Sequence, residues 1–295
     1  MSIVGRPNTG KSTLLNAIIG EKISIVSIVP QTTRHQIRGI YTDERGQIIF
    51  IDTPGLHLGH DNLDKFMNRA SMGSIDDVDV IIHLVDASED IGQEEQNVVQ
   101  HLKHARKTII VGLNKVDVAK GKYIPEYIKL WEEQRGKPMS EMPDLILLPL
   151  SGLKGTNVPK LLDLLFEQLP QGPMLYPADV ITDLPQRMAM ADIVREKLFH
   201  VMREEIPHSI AVIIEGVQPK KGNVTHIRVL ILVERESQKE IVIGKSGQIL
   251  KEIGTAARKD LEEILGKKVF LELFVKTKKN WRDDHTILEE MGYVI

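Results

Sequence analysis

Two glycine-rich stretches of this sequence could bind phosphate groups. The first, GRPNTGKS, spans residues 5–12 and matches the pattern Gly-x4-Gly-Lys-Ser. It follows a predicted strand at residues 2–4 and precedes a predicted helix, which is the context that this pattern requires. Glycines let backbone N–H groups turn towards a phosphate, and the helix N-terminus adds a positive dipole. The predicted nucleotide-binding residues of this loop are Gly5, Asn8, Thr9, Gly10, Lys11, Ser12 and Thr13.

The residues after the predicted strand IIFID form a second candidate element, Asp52-Thr-Pro-Gly55. We expect Lys11 to reach the outer phosphates, and the Ser12 hydroxyl and Asp52 to hold Mg²⁺, with Asp52 acting through a water. The N–H group of Gly55 can approach a γ-phosphate and lose it after hydrolysis. This segment is therefore predicted to be a switch.

A third element, Asn114-Lys-Val-Asp117, follows the predicted strand TIIVGLN. Guanine presents two adjacent donors that the Asp117 carboxylate can accept, whereas adenine would leave that carboxylate unpaired. The Lys115 stem can lie over the base. After LILLPL, residues Ser151, Gly152 and Leu153 are expected to contact the guanine oxygen.

Each of these short motifs alone could be a turn or a helix start. They occur in this order at the carboxyl ends of predicted parallel strands, where open α/β sheets bind ligands. The combination predicts a site for GTP and GDP.

Details around this site set expectations for catalysis. Thr32 or Thr33 could cap Mg²⁺ when GTP is bound, and Arg34 is predicted to be a surface residue. Leu56 stands where Ras-like GTPases place a water-orienting glutamine, so hydrolysis should be slow or need help. Asn8 either supports a bound K⁺ or only shapes the loop. The predicted catalytic residues are Lys11, Thr33, Gly55 and Asn8, and the predicted metal ligands are Ser12, Thr33 and Asp52.

The second glycine stretch is Gly244-Lys-Ser-Gly247, which precedes an amphipathic segment. A Gly-x-x-Gly loop before a helix is typical of KH domains, which clamp the backbone of single-stranded nucleic acid. The alternative is an ordinary turn at a helix start. Residues 239–282 contain 11 basic and 6 acidic residues, and this basic excess favours nucleic acid. The predicted RNA-binding residues are Gly244, Lys245, Ser246, Gly247 and Lys251.

The elements that must position these residues divide into two domains. Residues 1–170 alternate apolar strands with amphipathic helices, which predicts a doubly wound, mostly parallel P-loop GTPase domain. Residues 171–186 contain three prolines and are predicted to be a linker. Residues 187–295 are predicted to form a smaller α+β domain in the order α-β-β-α-β-α, a type II KH domain.

Composition excludes several classes of protein. The 295 residues are 42% hydrophobic and 27% charged, as in a globular protein, and no apolar run is long enough for a transmembrane helix. Without cysteine there can be no disulfide, thiol nucleophile or thiolate zinc site, which agrees with a cytoplasmic protein. The N-terminus shows no signal peptide.

Taken together, the motifs resemble the Era family of bacterial GTPases over essentially the whole chain. The stretches that carry the resemblance are GRPNTGKS, ISIVSIVPQTTRHQIRGI, DTPGLH, NKVD, VITDLPQR, REKLFHVMREEIPHS, LILVERESQKEIVIGKSGQILKEIGTAARKDLE and LELFVKTKKNWRDD. Thr9 and Gly152 depart from the residues usual in the family. Only four residues precede the first loop here, so the first strand is expected to be short.

The resemblance implies Mg²⁺-dependent binding of GTP and GDP, slow hydrolysis of GTP, and assembly of the small (30S) ribosomal subunit through the 3′ region of its 16S ribosomal RNA. It also implies a cytoplasmic protein with peripheral contact to the inner membrane, and we expect a monomer. The alternative is a GTPase switch that acts in cell-cycle control through a protein or membrane partner. A housekeeping nucleotide hydrolase is disfavoured because Leu56 cannot position water.

Overall fold

The computed structural model describes residues 1–27, 29, 32–55, 61–119, 122–202 and 206–293. These residues form two compact units. Unit 1 contains the described residues of 1–59 and 67–183, and unit 2 contains residues 61–66 and the described residues from 184 onwards. Within this part of the chain, no helix combines the length and apolar character that crossing a membrane requires.

Unit 1 is built on a six-stranded sheet in the order β2-β3-β1-β4-β5-β6. Its strands are β1 (Ser2–Val4), β2 (Ile37–Asp43), β3 (Gly46–Asp52), β4 (Val80–Asp86), β5 (Thr108–Asn114) and β6 (Leu145–Pro149). The helices that follow them are α1 (Lys11–Ile19), α2 (Asn62–Asp76), α3 (Gln93–Leu102), α4 (Val116–Ala119), α5 (Ile124–Arg135) and α6 (Val158–Gln168). The first turn of α2 belongs to unit 2. All neighbouring strands are parallel except β2 and β3, which are antiparallel.

The central strand β4 shows why the strands of this sheet appear in the sequence as nearly continuous apolar runs. Every residue of β4 is buried. Ile82 and Leu84 pack into a core on one face of the sheet, whereas Ile81 and Val85 pack into a second core on the other face. Helices cover both faces, so apolar side chains follow one another along β4, interrupted only by His83 and Asp86, rather than alternating with polar ones. The predicted doubly wound, mostly parallel domain is confirmed.

Strand β2 was not predicted from the sequence. It forms a hairpin with β3, with Ile37 opposite Asp52 and Asp43 opposite Gly46. Because β2 is an edge strand with arginine, tyrosine and threonine among its residues, it lacks the apolar run that identified its neighbours. The hairpin also extends β3 back to Gly46, two residues before the predicted start.

Unit 2 contains a three-stranded sheet in the order β7-β8-β9. Its strands are β7 (Ala211–Lys220), β8 (Val224–Val233) and β9 (Lys268–Thr277), and its helices are α7 (Gln186–Val201), α8 (Glu236–Ile243), α9 (Gln248–Leu265) and α10 (His285–Glu290). Strands β7 and β8 are antiparallel, whereas β8 and β9 are parallel. The order is therefore α-β-β-α-α-β-α.

Helix α8 corrects the predicted order, which lacked it. Its last residues, Ile241 to Ile243, are a short apolar run that sequence periodicity cannot assign to helix or strand. The Gln238 side chain begins the helix, because its oxygen accepts hydrogen bonds from the N–H groups of Glu234 and Arg235, each at 3.0 Å. The loop that begins at Gly244 therefore lies between two helices, α8 before it and α9 after it.

Strand β9 has one covered and one open face. The inner face carries Val269 and Leu273, and a Leu273 methyl carbon lies 3.3 Å from where a Cβ on Gly254 of α9 would stand. The sequence VFLELFVK at residues 269–276 alternates in this way and predicts a half-buried strand with Val269 and Leu273 on its buried side, as observed. On the other face, Phe270 and Phe274 are 46% and 45% exposed.

Candidate functional site

The loop between β1 and α1 leaves no room for side chains at its two outer glycines. A Cβ on Gly5 would lie 2.3 Å from the carbonyl oxygen of Leu84 in β4. A Cβ on Gly10 would lie 2.5 Å from the side-chain nitrogen of Asn114, and Gly10 also has a φ of 95° as the N-cap of α1. Neighbouring strands therefore require glycine at these two positions.

Lys11 is folded back into this loop. Its ammonium donates hydrogen bonds to the carbonyl oxygens of Gly5 at 3.0 Å and Arg6 at 2.8 Å, and the residue is only 6% exposed. Burial lowers the pKa of Lys11 to about 8, while the nearby Asp52 carboxylate acts in the opposite direction. The loop thus holds a cation among backbone groups, where an anionic phosphate could interact with it.

Three predicted metal ligands converge at the start of α1. The Ser12 hydroxyl donates to an Asp52 carboxylate oxygen at 2.7 Å and lies 2.9 Å from the Thr33 hydroxyl. Ser24, which sequence analysis did not identify, donates to the same Asp52 oxygen at 3.0 Å. The other oxygen, Oδ1, is buried without a hydrogen bond among the described residues, and burial raises the pKa of Asp52. Oxygen ligands with an unpaired carboxylate oxygen fit Mg²⁺.

The structure distinguishes the two candidate threonines. Thr33 faces Ser12, whereas the Thr32 hydroxyl donates to the carbonyl oxygen of Val29 at 2.5 Å. The surface position predicted for Arg34 is wrong, because the residue is 1% exposed. All four residues from Thr32 to His35 are buried, so tertiary packing of the whole segment overrides the usual exposure of arginine.

Gly55 lies against the first loop. A Cβ on Gly55 would stand 2.8 Å from the backbone nitrogen of Pro7, closer than real side chains approach. The predicted switch glycine is therefore adjacent to the predicted phosphate loop, and glycine permits this approach. Leu56, the residue expected to slow hydrolysis, lies outside the described residues.

Asn114 ties three motifs together. Its side-chain nitrogen donates to the carbonyl oxygen of Thr9 at 2.7 Å, and its oxygen accepts from the N–H group of Gly152 at 2.9 Å. It is 3% exposed. This residue therefore connects the first loop to the segment after β6, a positioning role that its motif alone did not reveal.

The remaining base-recognition candidates lie around Asn114. Lys115 has a φ of 64° and forms an ion pair with Asp86 at the end of β4. Burial tends to raise the pKa of Asp86, but hydrogen bonds from Lys115 and Ser88 outweigh it and the net shift is downward. Asp117 is exposed, and Leu153 is 74% exposed. Polar and apolar groups are thus accessible beside an anchored asparagine.

A buried charged network behind the first loop was missed by sequence analysis. The Glu95 carboxylate lies 2.7 Å from the His83 ring nitrogen and 3.4 Å from the Arg6 guanidinium, and both His83 and Glu95 are fully buried. Arg6 also pairs with the exposed Glu89 at 2.7 Å. The partners are far apart in sequence, so no local pattern could have identified them.

The second glycine loop, Gly244–Gly247, joins α8 to α9 in unit 2. Gly244, Ser246 and Gly247 all have positive φ, at 72°, 53° and 75°. A Cβ on Gly244 would stand 2.6 Å from a side-chain carbon of Ile249, whereas one on Gly247 would meet nothing within 4 Å. Lys245, Ser246 and Lys251 are exposed. Glycine is needed here for backbone conformation, and the loop opens to solvent.

Fold and site define the class of protein. A parallel sheet with a glycine loop after β1, Asp-Thr-Pro-Gly after β3 and Asn-Lys-Val-Asp after β5 is a P-loop GTPase domain, and a Gly-x-x-Gly loop between two helices of a βααβ unit is a KH domain. Residues 1–115 match the family of 50S ribosome-binding GTPases, and residues 205–282 match the KH domain family.

Full-length relatives identify the family within this class. The chain is 43% identical over 296 residues to the GTPase Era of Carboxydothermus hydrogenoformans, with 99% of this chain and 96% of that protein covered. It is 40% identical to the GTPase Era of Halothermothrix orenii, covering 99% and 97%. The chain therefore belongs to the Era family of GTPases, and it binds guanine nucleotides and hydrolyses GTP.

Two solved structures share the fold of the whole chain. Both superpose with a TM-score of 0.92 at 40% identity and cover 100% of this chain and 98% of their own. One is an Aquifex aeolicus Era variant bound to GDP and AlF4⁻. The other is Era in complex with MgGDPNP and nucleotides 1506–1542 of 16S ribosomal RNA.

Proposed function

We propose that this GTPase binds the 3′ region of small-subunit ribosomal RNA through its KH domain and assists assembly of the small ribosomal subunit. The observation that carries this proposal is the second glycine loop. An Era protein of the same fold binds both MgGDPNP and nucleotides of 16S ribosomal RNA, and the present chain has a guanine-nucleotide domain and a KH loop in the same order.

In this proposal the first loop binds the phosphates. Backbone N–H groups of residues 8–13 surround them, and Lys11 exchanges its carbonyl partners for phosphate oxygens. Gly55, packed against Pro7, senses the γ-phosphate through its N–H group.

Base recognition is assigned to the segments around Asn114. The Asp117 carboxylate accepts hydrogen bonds from the two adjacent donors of guanine, and the Lys115 stem and Leu153 cover the faces of the base. Asn114 acts as a positioning residue, since its amide is already engaged by Thr9 and Gly152. Ser151 orders the following loop, because its hydroxyl accepts from the N–H group of Lys154 at 3.1 Å.

Mg²⁺ would be held by Ser12, Thr33 and Asp52, whose oxygens already lie within hydrogen-bond distance of one another. When bound, the ion neutralises charge on the phosphates. Ser24 keeps one Asp52 oxygen in place, and the unpaired oxygen, Oδ1, would be available to Mg²⁺ or to a water ligand of the ion.

Two further expectations concern the rate of hydrolysis. Asn8 has a φ of 62° within the loop, and we assign it to the support of a K⁺ ion beside the phosphates. Leu56 cannot orient water, so intrinsic turnover should be slow and should rise when K⁺ replaces Na⁺.

The RNA site is assigned to Gly244, Lys245, Ser246, Gly247 and Lys251. The positive φ values of the loop give it a tight turn, and its exposed residues Lys245 and Ser246 leave it accessible to a sugar-phosphate chain. Exposed Lys245 and Lys251 add positive charge. The linker at residues 171–186, the domain boundaries, the monomeric state and the membrane contact remain predictions.

The decisive experiment measures binding of a single-stranded RNA that copies the 3′ end of 16S ribosomal RNA, to protein loaded with a non-hydrolysable GTP analogue or with GDP. We expect salt-sensitive binding that is tighter in the GTP form. Gly247→Asp should abolish it, because it places a carboxylate where the phosphate backbone approaches. Absence of binding in both nucleotide states would contradict the proposal and direct attention to a protein or membrane partner.

Base recognition has its own test. Asp117→Asn should shift preference from guanine to xanthine nucleotides, because xanthine has a carbonyl in place of the 2-amino group. Asp77→Asn, at an exposed aspartate outside the site, is the matched control. An unchanged guanine preference in the Asp117 variant would remove this residue from base reading.

A further inference from the structure

The open face of the unit 2 sheet is distinct from the Gly244–Gly247 loop. Every second residue of β9 points to this open side: Lys268, Phe270, Glu272, Phe274 and Lys276. Across the sheet, Phe270 pairs with His226 and Phe274 with Leu230 of β8, and paired residues share a face. Helix α9 packs on the opposite face, so the glycine loop and this surface are separate features of the unit.

Two large aromatic side chains are exposed on this face. Phe270 and Phe274 are 46% and 45% exposed, in a chain whose aromatic content is only 4%. Single exposed apolar residues need no explanation. These two lie four residues apart on an edge strand, about 13 Å at the usual rise per residue, and present their rings on one surface.

Positive charge surrounds the rings. The Lys220 ammonium lies 4.1 Å from the centre of the Phe270 ring, and the His226 ring lies 5.1 Å from it. At the two ends of β9, the Lys268 and Lys276 side chains are 80% and 65% exposed, with Lys268 lying 3.6 Å from Glu262 of α9 and Lys276 lying 3.9 Å from Glu215. This face carries four lysines and arginines (Lys220, Arg228, Lys268, Lys276) against two carboxylates (Glu215, Glu272), a net charge of 4 − 2 = +2.

We propose that this face is a second RNA-binding surface, on which unpaired bases of single-stranded RNA stack on Phe270 and Phe274 while the lysines contact phosphates. The inference rests on the proposed RNA-binding function of unit 2 and extends it beyond the glycine loop. Exposed aromatics on a β-sheet, flanked by cations, match the way that sheet surfaces bind single-stranded nucleic acid.

The positions of the carboxylates favour RNA over a membrane. Glu272 lies between the two phenylalanines and contacts His226 at 2.5 Å, and Glu215 pairs with Arg228 at 3.1 Å. Insertion of both rings into a bilayer would bury these carboxylates at high cost. On RNA the same Glu272 can accept hydrogen bonds from base amino groups.

The spacing of the rings predicts an extended strand. About 13 Å separates the two phenylalanines, whereas stacked nucleotides rise about 3.4 Å each. Adjacent stacked bases therefore cannot occupy both rings, and the intervening nucleotides must span Glu272. A probe long enough to fill the glycine loop and this face should bind more tightly than one that fills the loop alone.

The experiment compares a short and a long single-stranded RNA of unstructured pyrimidine sequence by fluorescence anisotropy, with the full-length protein. Phe270→Ala and Phe274→Ala should each weaken the long probe about tenfold and leave the short probe unchanged. Ile264→Ala, at a 56% exposed residue of α9, is the matched control. Lys220→Gln should reduce the salt dependence of long-probe binding by about 0.7 in log–log slope.

A direct optical readout is provided by Phe274→Trp. Both native tryptophans, Trp131 and Trp281, are fully buried, so the new indole would be the solvent-accessible one among the described residues. Stacking of a base should quench its fluorescence upon addition of the long probe. The variant should also retain long-probe affinity, because tryptophan stacks as well as phenylalanine.

The outcomes separate this inference from the proposed function. If wild-type protein binds neither probe and also fails to bind the RNA that copies the 3′ end of 16S ribosomal RNA, the RNA-binding function itself fails. If it binds that RNA but not the long probe more tightly than the short one, only the inference about the open face fails. If it binds the long probe and both alanine variants bind it equally well, the open face is not an RNA surface. The alanine variants could instead bind anionic lipid vesicles more weakly than the wild type while binding RNA equally well. That result would identify a membrane surface and overturn the inference.

Discussion

The two glycine loops have similar residues but opposite surroundings. Gly5 and Gly10 are enclosed by atoms of β4 and β5. Lys11, which follows Gly10, is only 6% exposed. Gly247 has open space around it, and its neighbour Lys245 is exposed. The first loop is therefore shaped by tertiary contacts, the second mainly by its own backbone conformation.

This difference matches the size of the proposed ligands. A mononucleotide can be surrounded, so its loop can be built from several strands and stabilised by a residue such as Asn114. A polynucleotide must enter and leave, so its loop has to stay accessible on at least one side. Substitution of a glycine should consequently reduce stability more at the first loop than at the second, and loss of a lysine should reduce ligand affinity more at the enclosed loop than at the open one.

The largest expected effect is on stability. Gly5→Ala places a Cβ 2.3 Å from a backbone oxygen and should destabilise unit 1 by about 3 kcal/mol or more. Gly247→Ala meets no atom within 4 Å and should cost only about 1 kcal/mol, because of its positive φ. Trp131 and Trp281, retained one at a time, would report urea unfolding of each unit. Equal losses at the two positions would contradict the comparison.

The next effect is on ligand affinity. Lys11→Met should weaken GTP binding by about 100-fold or more, because a desolvated cation on the phosphates is lost. Apo stability should stay equal or rise, since a buried ammonium is replaced by an apolar chain of similar length. Lys245→Met removes one exposed phosphate contact and should weaken RNA binding less than tenfold. Nucleotide titration and thermal unfolding of each variant test this contrast.

The pH dependence of nucleotide binding follows from Lys11. Its pKa is about 8 in the free protein, below the ordinary 10.5, so at pH 9 the side chain is mostly neutral. Phosphates favour the ammonium form, and binding at pH 9 should therefore take up close to one proton, but almost none at pH 7. Calorimetry in buffers of different ionisation enthalpy measures this uptake. No pH-dependent difference would mean that Lys11 is already protonated at pH 9.

The same shift predicts how the free protein responds to pH. Because the folded pKa lies below the unfolded one, the cost of burying the ammonium is present below pH 8 and is relieved as pH rises towards 10.5. Apo unit 1 should thus gain stability between pH 7.5 and 9.5 relative to Lys11→Met, as thermal unfolding of the two proteins would show.

The smallest effect concerns the network behind the first loop. Glu95→Gln removes the buried partner of Arg6 and His83 and should destabilise unit 1 by about 1–3 kcal/mol, with weaker nucleotide binding. The exposed neighbour Glu94 offers the control, Glu94→Gln, which should change neither property. If both variants behave like the wild type, the network does not support the loop.

Much of the fold was predictable from sequence because its signals are local. The sequence predicts a helix over Lys11–Ile19, ended by Gly20, and a strand over residues 108–114, and α1 and β5 have these bounds because a glycine stop and a buried apolar run mark them. Strand β2 and helix α8 were missed, because an edge strand and a short helix carry weak periodicity. Arg34 was misplaced, since burial of a charged residue depends on packing partners that its neighbours in sequence do not reveal.

The sequence by itself determined the chemistry: which glycines, hydroxyls and carboxylates are present, and the order in which strands present them. Only the tertiary structure decided that Asn114 ties the first loop to the segment after β6, that Ser24 shares Asp52 with Ser12, and that Phe270 and Phe274 share an open face. The physical reason is that such contacts join residues distant in the chain. Their geometry exists only after the strands have paired.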